Sequence, residues 1–316
     1  PEDSLDVVLI GASQLYTGYS APLAWRDYGF TSYPLAVSNI PARLYGSLLT
    51  EAVNRQHPKL IVVDIDGFLT DEDPEKLEAN LRKWLDNMPW SRNKIETIRT
   101  CVPAELQTSF YFNIAKYHAN WYQPDTWLPV QQRLHAMDKT GYSLTKSFEA
   151  IGQSLTDADE PDTRPLTLSG ANAQYLRDFC AQARSLGTNV LFLRMPHRTQ
   201  TTDPNVFTDV AAVVGDYGYE LLDLHDAFDT IGLDRCADFM DSDHLNAIGM
   251  ETFTAWFGQY LSEHYDLTTA HSETVTAEWQ RCADFMAQIL PTCQQQAADN
   301  TKQTLNEFSA AFDACR

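Results

Sequence analysis

The sequence predicts an α/β fold in which helices cover both faces of a mostly parallel, five-stranded β-sheet. Short apolar runs rich in β-branched residues alternate with longer segments of helical periodicity, and most of the runs end in a glycine or a polar turn. Because the runs at 5–10 and 60–65 are apolar along most of their length, we expect buried strands there, the first of them central in the sheet. Another strand is predicted at 189–193.

The other elements of this core follow from the same patterns. Further strands are predicted at 30–37 and 219–224. Helices are predicted at 42–56, 169–185, 205–216 and 247–265, where apolar residues recur on one face. Gly187 follows the second of these helices at the position that favours a left-handed C-cap. Residues 12–19, directly after the first strand, are predicted to form a loop.

Residues 70–165 interrupt this alternation, and so long a stretch without a clear strand is not a simple crossover. We expect a mostly helical insertion that caps a cleft, with helices from 71–74 to about 87 and at 93–100. Aromatic residues are dense at 110–127; they are either core residues or a surface that stacks on sugar rings or lines an acyl pocket. Among them, His118 and Trp121 are the candidate substrate-binding pair.

The predicted organisation is therefore one domain over 1–267, which includes the insertion, and a C-terminal extension over 268–316. The extension is polar and rich in Gln, Thr and Ala, and we expect one or two helices that pack loosely on the domain.

Composition narrows the class of partner. The chain has 316 residues, of which 44% are apolar and 21% charged, and its net charge is −20. Such a charge disfavours a nucleic-acid partner and an anionic membrane surface, although solubility alone also explains it. No run of about 18 apolar residues occurs. Because the first strand begins soon after Pro1, we expect that a signal or membrane anchor was removed.

The six cysteines are Cys101, Cys180, Cys236, Cys282, Cys293 and Cys315. They form no CxxC pair, and no Cys/His spacing suits zinc. An even number is compatible with disulfides in an oxidising compartment, and three of the six within 282–316 predict a tail disulfide whose pairing stays open. Alternatively, Cys101 and Cys180 are buried free thiols.

Reactive residue types occur after two predicted strands. Ser13 follows the first strand, whereas Asp241 and His244 stand three residues apart before the last helix of the core. Because the carboxyl ends of parallel strands meet at one sheet edge, we expect these residues to meet there. An imidazole held in one tautomer by a carboxylate can take the proton of a serine hydroxyl. The alternative for Ser13 is the N-cap of a turn.

Other assignments at the same edge compete with this one. Asp243 is adjacent to His244, and its side chain is predicted to point elsewhere. His197, after another strand, is a rival base without a spaced carboxylate. A metal site built from Asp241, Asp243 and His244 is a third interpretation, but three ligands so close at a helix start do not easily face one ion. No metal or cofactor is predicted.

Together, these features resemble the SGNH (GDSL-like) hydrolase superfamily. The resemblance rests on Gly11-Ala12-Ser13 after the first strand, the five-stranded core and Asp241-x-x-His244, and it covers about 5–68 and 168–265. It is closest to a bacterial cell-envelope branch similar to DltD-like and polysaccharide O-acetyl-modifying proteins. The runs at 93–95, 117–121, 231–234, 238–241 and 244–246 are similar to that branch as well.

The resemblance implies a three-layer, flavodoxin-like α/β/α SGNH fold and assigns three roles. Ser13 corresponds to the nucleophile, His244 to the general base and Asp241 to the residue that orients His244. The superfamily takes oxyanion donors from a Gly after the second strand and an Asn after the third. Here those regions read Ser-Asn at 38–39 and Asp-Ile-Asp-Gly at 64–67, so Asn39 is the candidate side-chain donor.

The implied function is that of an extracytoplasmic serine esterase or O-acyltransferase acting on acyl, above all acetyl, esters of a cell-envelope glycan or polymer. The implied partners are that acylated polymer and a membrane acyl-transfer protein. The implied location is secreted or anchored through an N-terminal segment. The alternative is a non-catalytic glycan-binding or assembly module on the same scaffold.

Overall fold

The computed structural model describes residues 3–113, 116, 142–149, 151–155 and 162–301. Its main sheet has five strands, all parallel, in the order β2-β1-β3-β5-β7. These strands are β1 (Val7–Gly11), β2 (Ser32–Ala36), β3 (Leu60–Asp64), β5 (Val190–Arg194) and β7 (Glu220–Asp223). A separate two-stranded parallel sheet pairs β4 (Thr163–Arg164) with β6 (Gln200–Thr201). The predicted fold class and all five predicted strands are confirmed.

Thirteen α-helices lie within the described ranges. They are α1 (Ser13–Gly18), α2 (Ala21–Tyr28), α3 (Tyr45–Gln56), α4 (Asp66–Leu69), α5 (Leu77–Leu85), α6 (Arg92–Cys101), α7 (Gln107–Tyr111), α8 (Tyr142–Thr145), α9 (Gly170–Leu186), α10 (Val206–Gly215), α11 (Phe228–Ile231), α12 (Ala247–His264) and α13 (Glu273–Ala298). A 3₁₀ turn, Ala42–Leu44, leads into α3. As predicted, α9 ends at Gly187, which has a left-handed φ of 66°.

Alternating side chains of the strands form two separate cores. Val8 and Ile10 of β1 face a cluster that includes residues of α3, α9 and α10. Val7 and Leu9 face the opposite cluster, which includes residues of α2 and α12. Because successive side chains of a strand point to opposite faces, a strand between two helical layers must be apolar at nearly every position. This requirement explains the unbroken apolar runs of the sequence.

The loop predicted at 12–19 is wrong, because a short helix occupies most of this part of the chain. Helix α1 begins at Ser13, directly after β1, and α2 follows at Ala21. Leu15 and Tyr19, four residues apart, are fully buried against the α12 side of the sheet. Helix α1 is too short for its periodicity to be recognised, and its burial comes from tertiary packing.

The described part of the insertion is mostly helical up to Thr145, although its first helix, α5, begins at Leu77 rather than at 71–74. Strand β4, near the end of the insertion, was not predicted. Phe110 is buried, and the guanidinium carbon of Arg82 lies 4.0 Å from its ring centroid. Phe112, in contrast, is 63% exposed. The aromatic residues at 117–127 lie outside the described residues, so their predicted role stays a prediction.

The expectation of a loosely packed tail is also wrong. Helix α13 packs against α2 and α12, and the large apolar side chains of its inner side are nearly fully buried. The buried residues that share its inner side are Trp279, Cys282, Phe285, Met286, Ile289, Leu290 and Cys293. Their spacing is that of an amphipathic helix, which the Gln- and Thr-rich outer face obscures in the sequence.

No disulfide joins any two of the five cysteines in the described part of the chain. Cys180 is buried, as the alternative reading of that thiol expected, and burial raises its pKa to about 12. Cys315 lies outside the described residues, and the tail disulfide stays a prediction. Among the helices of the described ranges, none is both long and apolar enough to cross a bilayer.

The close approach of β1 to β3 gives a stability prediction. A Cβ atom on Gly11 would lie 2.6 Å from Cβ of Asp64, far inside contact distance. We expect Gly11→Ala to lower the free energy of unfolding by about 1–3 kcal/mol, as overpacking does in a dense core. Urea titration followed by circular dichroism measures the change.

Gly170→Ala is the matched control, because a Cβ there would meet nothing within 4 Å. It should leave the stability unchanged or raise it by about 0.4–1 kcal/mol. Equal unfolding midpoints for the two variants would contradict the packing described at the end of β1.

Candidate active site

A cavity of about 350 Å³ opens at the carboxyl-terminal edge of the main sheet. The chain passes from β1 to β2 on one side and from β3 to β5 on the other, so the connections that follow the neighbouring strands β1 and β3 run in opposite directions at this point. Such a switch point is where open parallel sheets bind ligands. Ser13, Asp66, His197 and His244, which follow β1, β3, β5 and β7 respectively, all line the cavity.

Ser13 and His244 are joined by a hydrogen bond across 231 positions of sequence. The distance from Ser13 Oγ to His244 Nε2 is 2.7 Å, and both residues are partly buried. This bond is the juxtaposition that the sequence predicted. A hydroxyl this close to an imidazole nitrogen can transfer its proton as it attacks an electrophile.

Asp241 fixes the orientation of the imidazole. His244 Nδ1 lies 2.9 Å from each carboxylate oxygen of Asp241, and a carboxylate can only accept this bond. The proton of the neutral ring is therefore on Nδ1, which leaves Nε2 free to accept from Ser13. Asp241 Oδ1 also accepts the backbone N–H groups of Asp243 and His244, each at 2.8 Å.

The loop that carries these residues is closed at its base. Phe239 and Leu245 form an antiparallel bridge, and the N–H of Asn246 donates to the carbonyl of Asp238 at 2.9 Å. The buried side chain of Asn246 caps α12 by accepting the N–H groups of Ile248 and Gly249. This cap follows the Asp-x-x-His sequence directly, so the loop and the helix start are specified together.

Neighbouring charges and hydrogen bonds shift the pKa values of His244 and Asp241. Burial alone would lower the pKa of His244, but the hydrogen bond to Asp241 and the charges of Asp241 and Asp243 raise it above the ordinary value of about 6.5. Burial alone would raise the pKa of Asp241, but the hydrogen bond from His244 and the charge of its ring lower it. The pair is therefore suited to hold a positive imidazolium next to a carboxylate.

Asp243 points away from the imidazole, as predicted. Its carboxylate accepts a hydrogen bond from Thr199 Oγ1 and lies 2.5 Å from Arg164 Nη1. The backbone N–H groups of Arg198 and Thr199 donate to the carbonyl of Ser242 at 2.6 and 3.2 Å. The small β4–β6 sheet and the segment after β5 thus hold the outer side of the His244 loop.

His197 lies at the floor of the cavity and does not contact Ser13 as a base would. It is 1% exposed, its ring packs edge-on against His225, and Nε2 is 3.7 Å from Asp66 Oδ2. Neither ring nitrogen has a hydrogen-bond partner among the described residues. Burial lowers its pKa, and the charge of Asp66 only partly opposes this effect.

Of the three residues predicted to bind substrate or the oxyanion, Asn39 alone lies within the described part of the chain. Asn39 lines the cavity, but it is exposed, has a left-handed φ of 52°, and donates its amide to Ser38 Oγ at 3.3 Å. His118 and Trp121 lie outside the described residues.

Gln14 and Asp66 are among the cavity-lining residues that the sequence analysis did not single out. Gln14 Nε2 donates to Asp66 Oδ2 at 2.7 Å. Their positions in the sequence could have indicated them, because Gln14 follows Ser13 and Asp66 lies two residues after β3.

No protein-family model matches this chain, and a search of curated proteins finds no match either. These two comparisons therefore assign the chain to no family. The likeness to SGNH hydrolases stays a prediction from the motif residues.

The charges around His244 give opposite predictions for two substitutions. Asp243→Asn removes a negative charge that raises the pKa of His244, so that pKa should fall. Arg164→Gln removes a positive charge that lowers it, so the pKa should rise. Titration of the imidazole C–H signals by NMR measures both shifts without an assay of activity.

Shifts of His244 in the same direction for both variants would contradict the arrangement of charges.

Proposed function

We propose that this protein is a serine-dependent carboxylic-ester hydrolase or O-acyltransferase. The observation that carries the proposal is the continuous hydrogen-bonded chain from Ser13 through His244 to Asp241 at the switch point of the sheet. Serine, histidine and aspartate in this relation are recognised by geometry and role on unrelated folds.

The proposed reaction has two acyl-transfer steps. Ser13 Oγ bonds to the ester carbonyl carbon, its proton moves to His244 Nε2, and the carbonyl electron pair moves onto oxygen. Collapse of this tetrahedral intermediate breaks the ester C–O bond, and His244 returns the proton to the departing alkoxide. Water or a second alcohol then attacks the acyl-Ser13 ester through the same steps in reverse. Asp241 remains ionised and stabilises the transient imidazolium.

The acceptor distinguishes hydrolysis from transfer, and both use the same three residues. As the first residue of α1, Ser13 has a backbone N–H without an intrahelical acceptor, which supports its use as one oxyanion donor.

The proposed substrates are acyl esters, with acetyl first, of a cell-envelope glycan or polymer, which follows the family resemblance. The electrostatics favour a neutral polymer, because the carboxylates of Asp66, Asp71, Glu72 and Asp73 all line the cavity. An extracytoplasmic location and a membrane acyl-transfer partner are part of the same proposal.

Two other interpretations of the site are a metal-dependent hydrolase and a non-catalytic glycan-binding module. A metal-dependent hydrolase would need Asp241 and Asp243 to face one ion, whereas their carboxylates bind His244 and Arg164 respectively. A non-catalytic glycan-binding module is the second candidate, favoured by the poor orientation of Asn39 as an oxyanion donor.

Ser13→Ala should lower kcat for p-nitrophenyl acetate by about 10³-fold or more, because no other hydroxyl of the described residues is hydrogen-bonded to His244. Steady-state release of p-nitrophenol measures the rate. Ser185→Ala, at an exposed serine of α9, is the matched control and should retain full activity. Equal rates for the wild type and Ser13→Ala would remove Ser13 as the nucleophile.

A fluorophosphonate probe separates the enzyme from the binding module. The proposed enzyme should be labelled, and Ser13→Ala should not be. Binding of a glycan that survives Ser13→Ala, together with a wild type that the probe does not label, would favour the binding module.

A further inference from the structure

The environment of Gln14 differs from that of an ordinary surface glutamine. Gln14 directly follows the nucleophile, is 9% exposed and lines the same cavity. Asp66, the first residue of α4, accepts one N–H of the Gln14 carboxamide at 2.7 Å and fixes the side chain. The described residues supply no acceptor for the second N–H of Gln14 Nε2. A buried, oriented amide with an unused donor beside Ser13 calls for a functional explanation.

The surroundings of Asp66 add a second observation. Asp66 Oδ1 is buried without a hydrogen-bond partner among the described residues, and so is Oδ2 of the neighbouring Asp64. Burial and the charge of Asp66 raise the pKa of Asp64 well above its usual range, so the protonated form of Asp64 is favoured over what an exposed carboxyl would show. Because a negative charge next to a developing oxyanion opposes catalysis, a neutral amide suits this acidic part of the cavity as a donor better than a carboxylate does.

We propose that the Gln14 carboxamide is the side-chain donor to the oxyanion and that Asp66 is its positioning residue. This inference rests on the proposed function. During attack by Ser13, the carbonyl oxygen gains a full negative charge, and the free N–H of Gln14 Nε2 donates to it together with the Ser13 backbone N–H. No proton is transferred, so the donor stabilises the transition state more than the bound ester.

Asn39 is a poorer candidate for this role. It is exposed, and its amide is directed to Ser38 Oγ. A donor that must reorganise during the reaction contributes less than one held in place beforehand, and Asp66 holds Gln14 in place.

The chain offers a matched control for Gln14. Gln174 Nε2 donates to Asp178 Oδ1 at the same distance, 2.7 Å, but on the exposed face of α9. The two glutamines therefore share a hydrogen bond to an aspartate and differ in their position relative to Ser13.

The experiment compares the full chain with Gln14→Ala and Gln174→Ala in steady-state hydrolysis of p-nitrophenyl acetate. Gln14→Ala should lower kcat by about 10²–10³-fold with a KM change below about 3-fold. Methylboronic acid forms a tetrahedral adduct with a reactive serine, and the affinity of Gln14→Ala for it should fall by a factor similar to the fall in kcat. Gln174→Ala should have the same kcat and the same affinity for methylboronic acid as the wild type. Thermal unfolding checks that each variant is folded.

Two substitutions of Asp66 separate its roles. Asp66→Asn keeps an oxygen that accepts from Gln14 and removes the charge, so kcat should fall by less than about 3-fold or rise. Asp66→Ala removes the anchor, and a donor displaced by about 1 Å should lower kcat by roughly 10²-fold. If Gln14→Ala does not fold, the two Asp66 variants test the role of Gln14 in its place. Equal kcat values for Asp66→Asn and Asp66→Ala would overturn the inference.

Failure of the inference is distinguishable from failure of the proposed function. Ser13-dependent turnover in the wild type, with Gln14→Ala as active as Gln174→Ala, overturns only the role of Gln14. Absence of Ser13-dependent turnover in the wild type overturns both.

Discussion

The hydrogen bond between His244 and Asp241 is the interaction on which the site depends. It determines which ring nitrogen carries the proton and directs the other toward Ser13. The same carboxylate accepts the backbone N–H of His244, so one side chain fixes both the ring and the chain that bears it. Residues three apart can do this only in a tight loop, which the bridge from Phe239 to Leu245 closes.

The sheet explains why this loop lies next to a serine from the other end of the chain. Parallel strands direct all their carboxyl ends to one edge, and the apolar cores on both faces hold them in register. The approach of Gly11 to Asp64 brings the turn after β1 close to the end of β3. The ends of β1 and β3, together with the short helices α1 and α4 that follow them, thus position Ser13 and the neighbouring Gln14–Asp66 pair.

The sequence was sufficient where a local pattern carries the information. The apolar runs predicted all five strands, and the spacing of Asp241 and His244 predicted their contact. The short helix α1 and the burial of α13 were missed, because tertiary packing and not periodicity decides them. The Gln14–Asp66 bond joins residues 52 positions apart, and no single-sequence pattern reports such a contact. His118 and Trp121 stay predictions.

The central claim is that Ser13 forms a covalent acyl-enzyme with the help of His244. The most direct measurement is mass spectrometry of the wild-type protein after rapid acid quenching of its reaction with p-nitrophenyl acetate, followed by peptide mapping. The predicted result is a transient acetyl group on Ser13 that does not form in His244→Ala. An acetyl group on another residue during turnover, or turnover with Ser13 unmodified at every quench time, would contradict the claim.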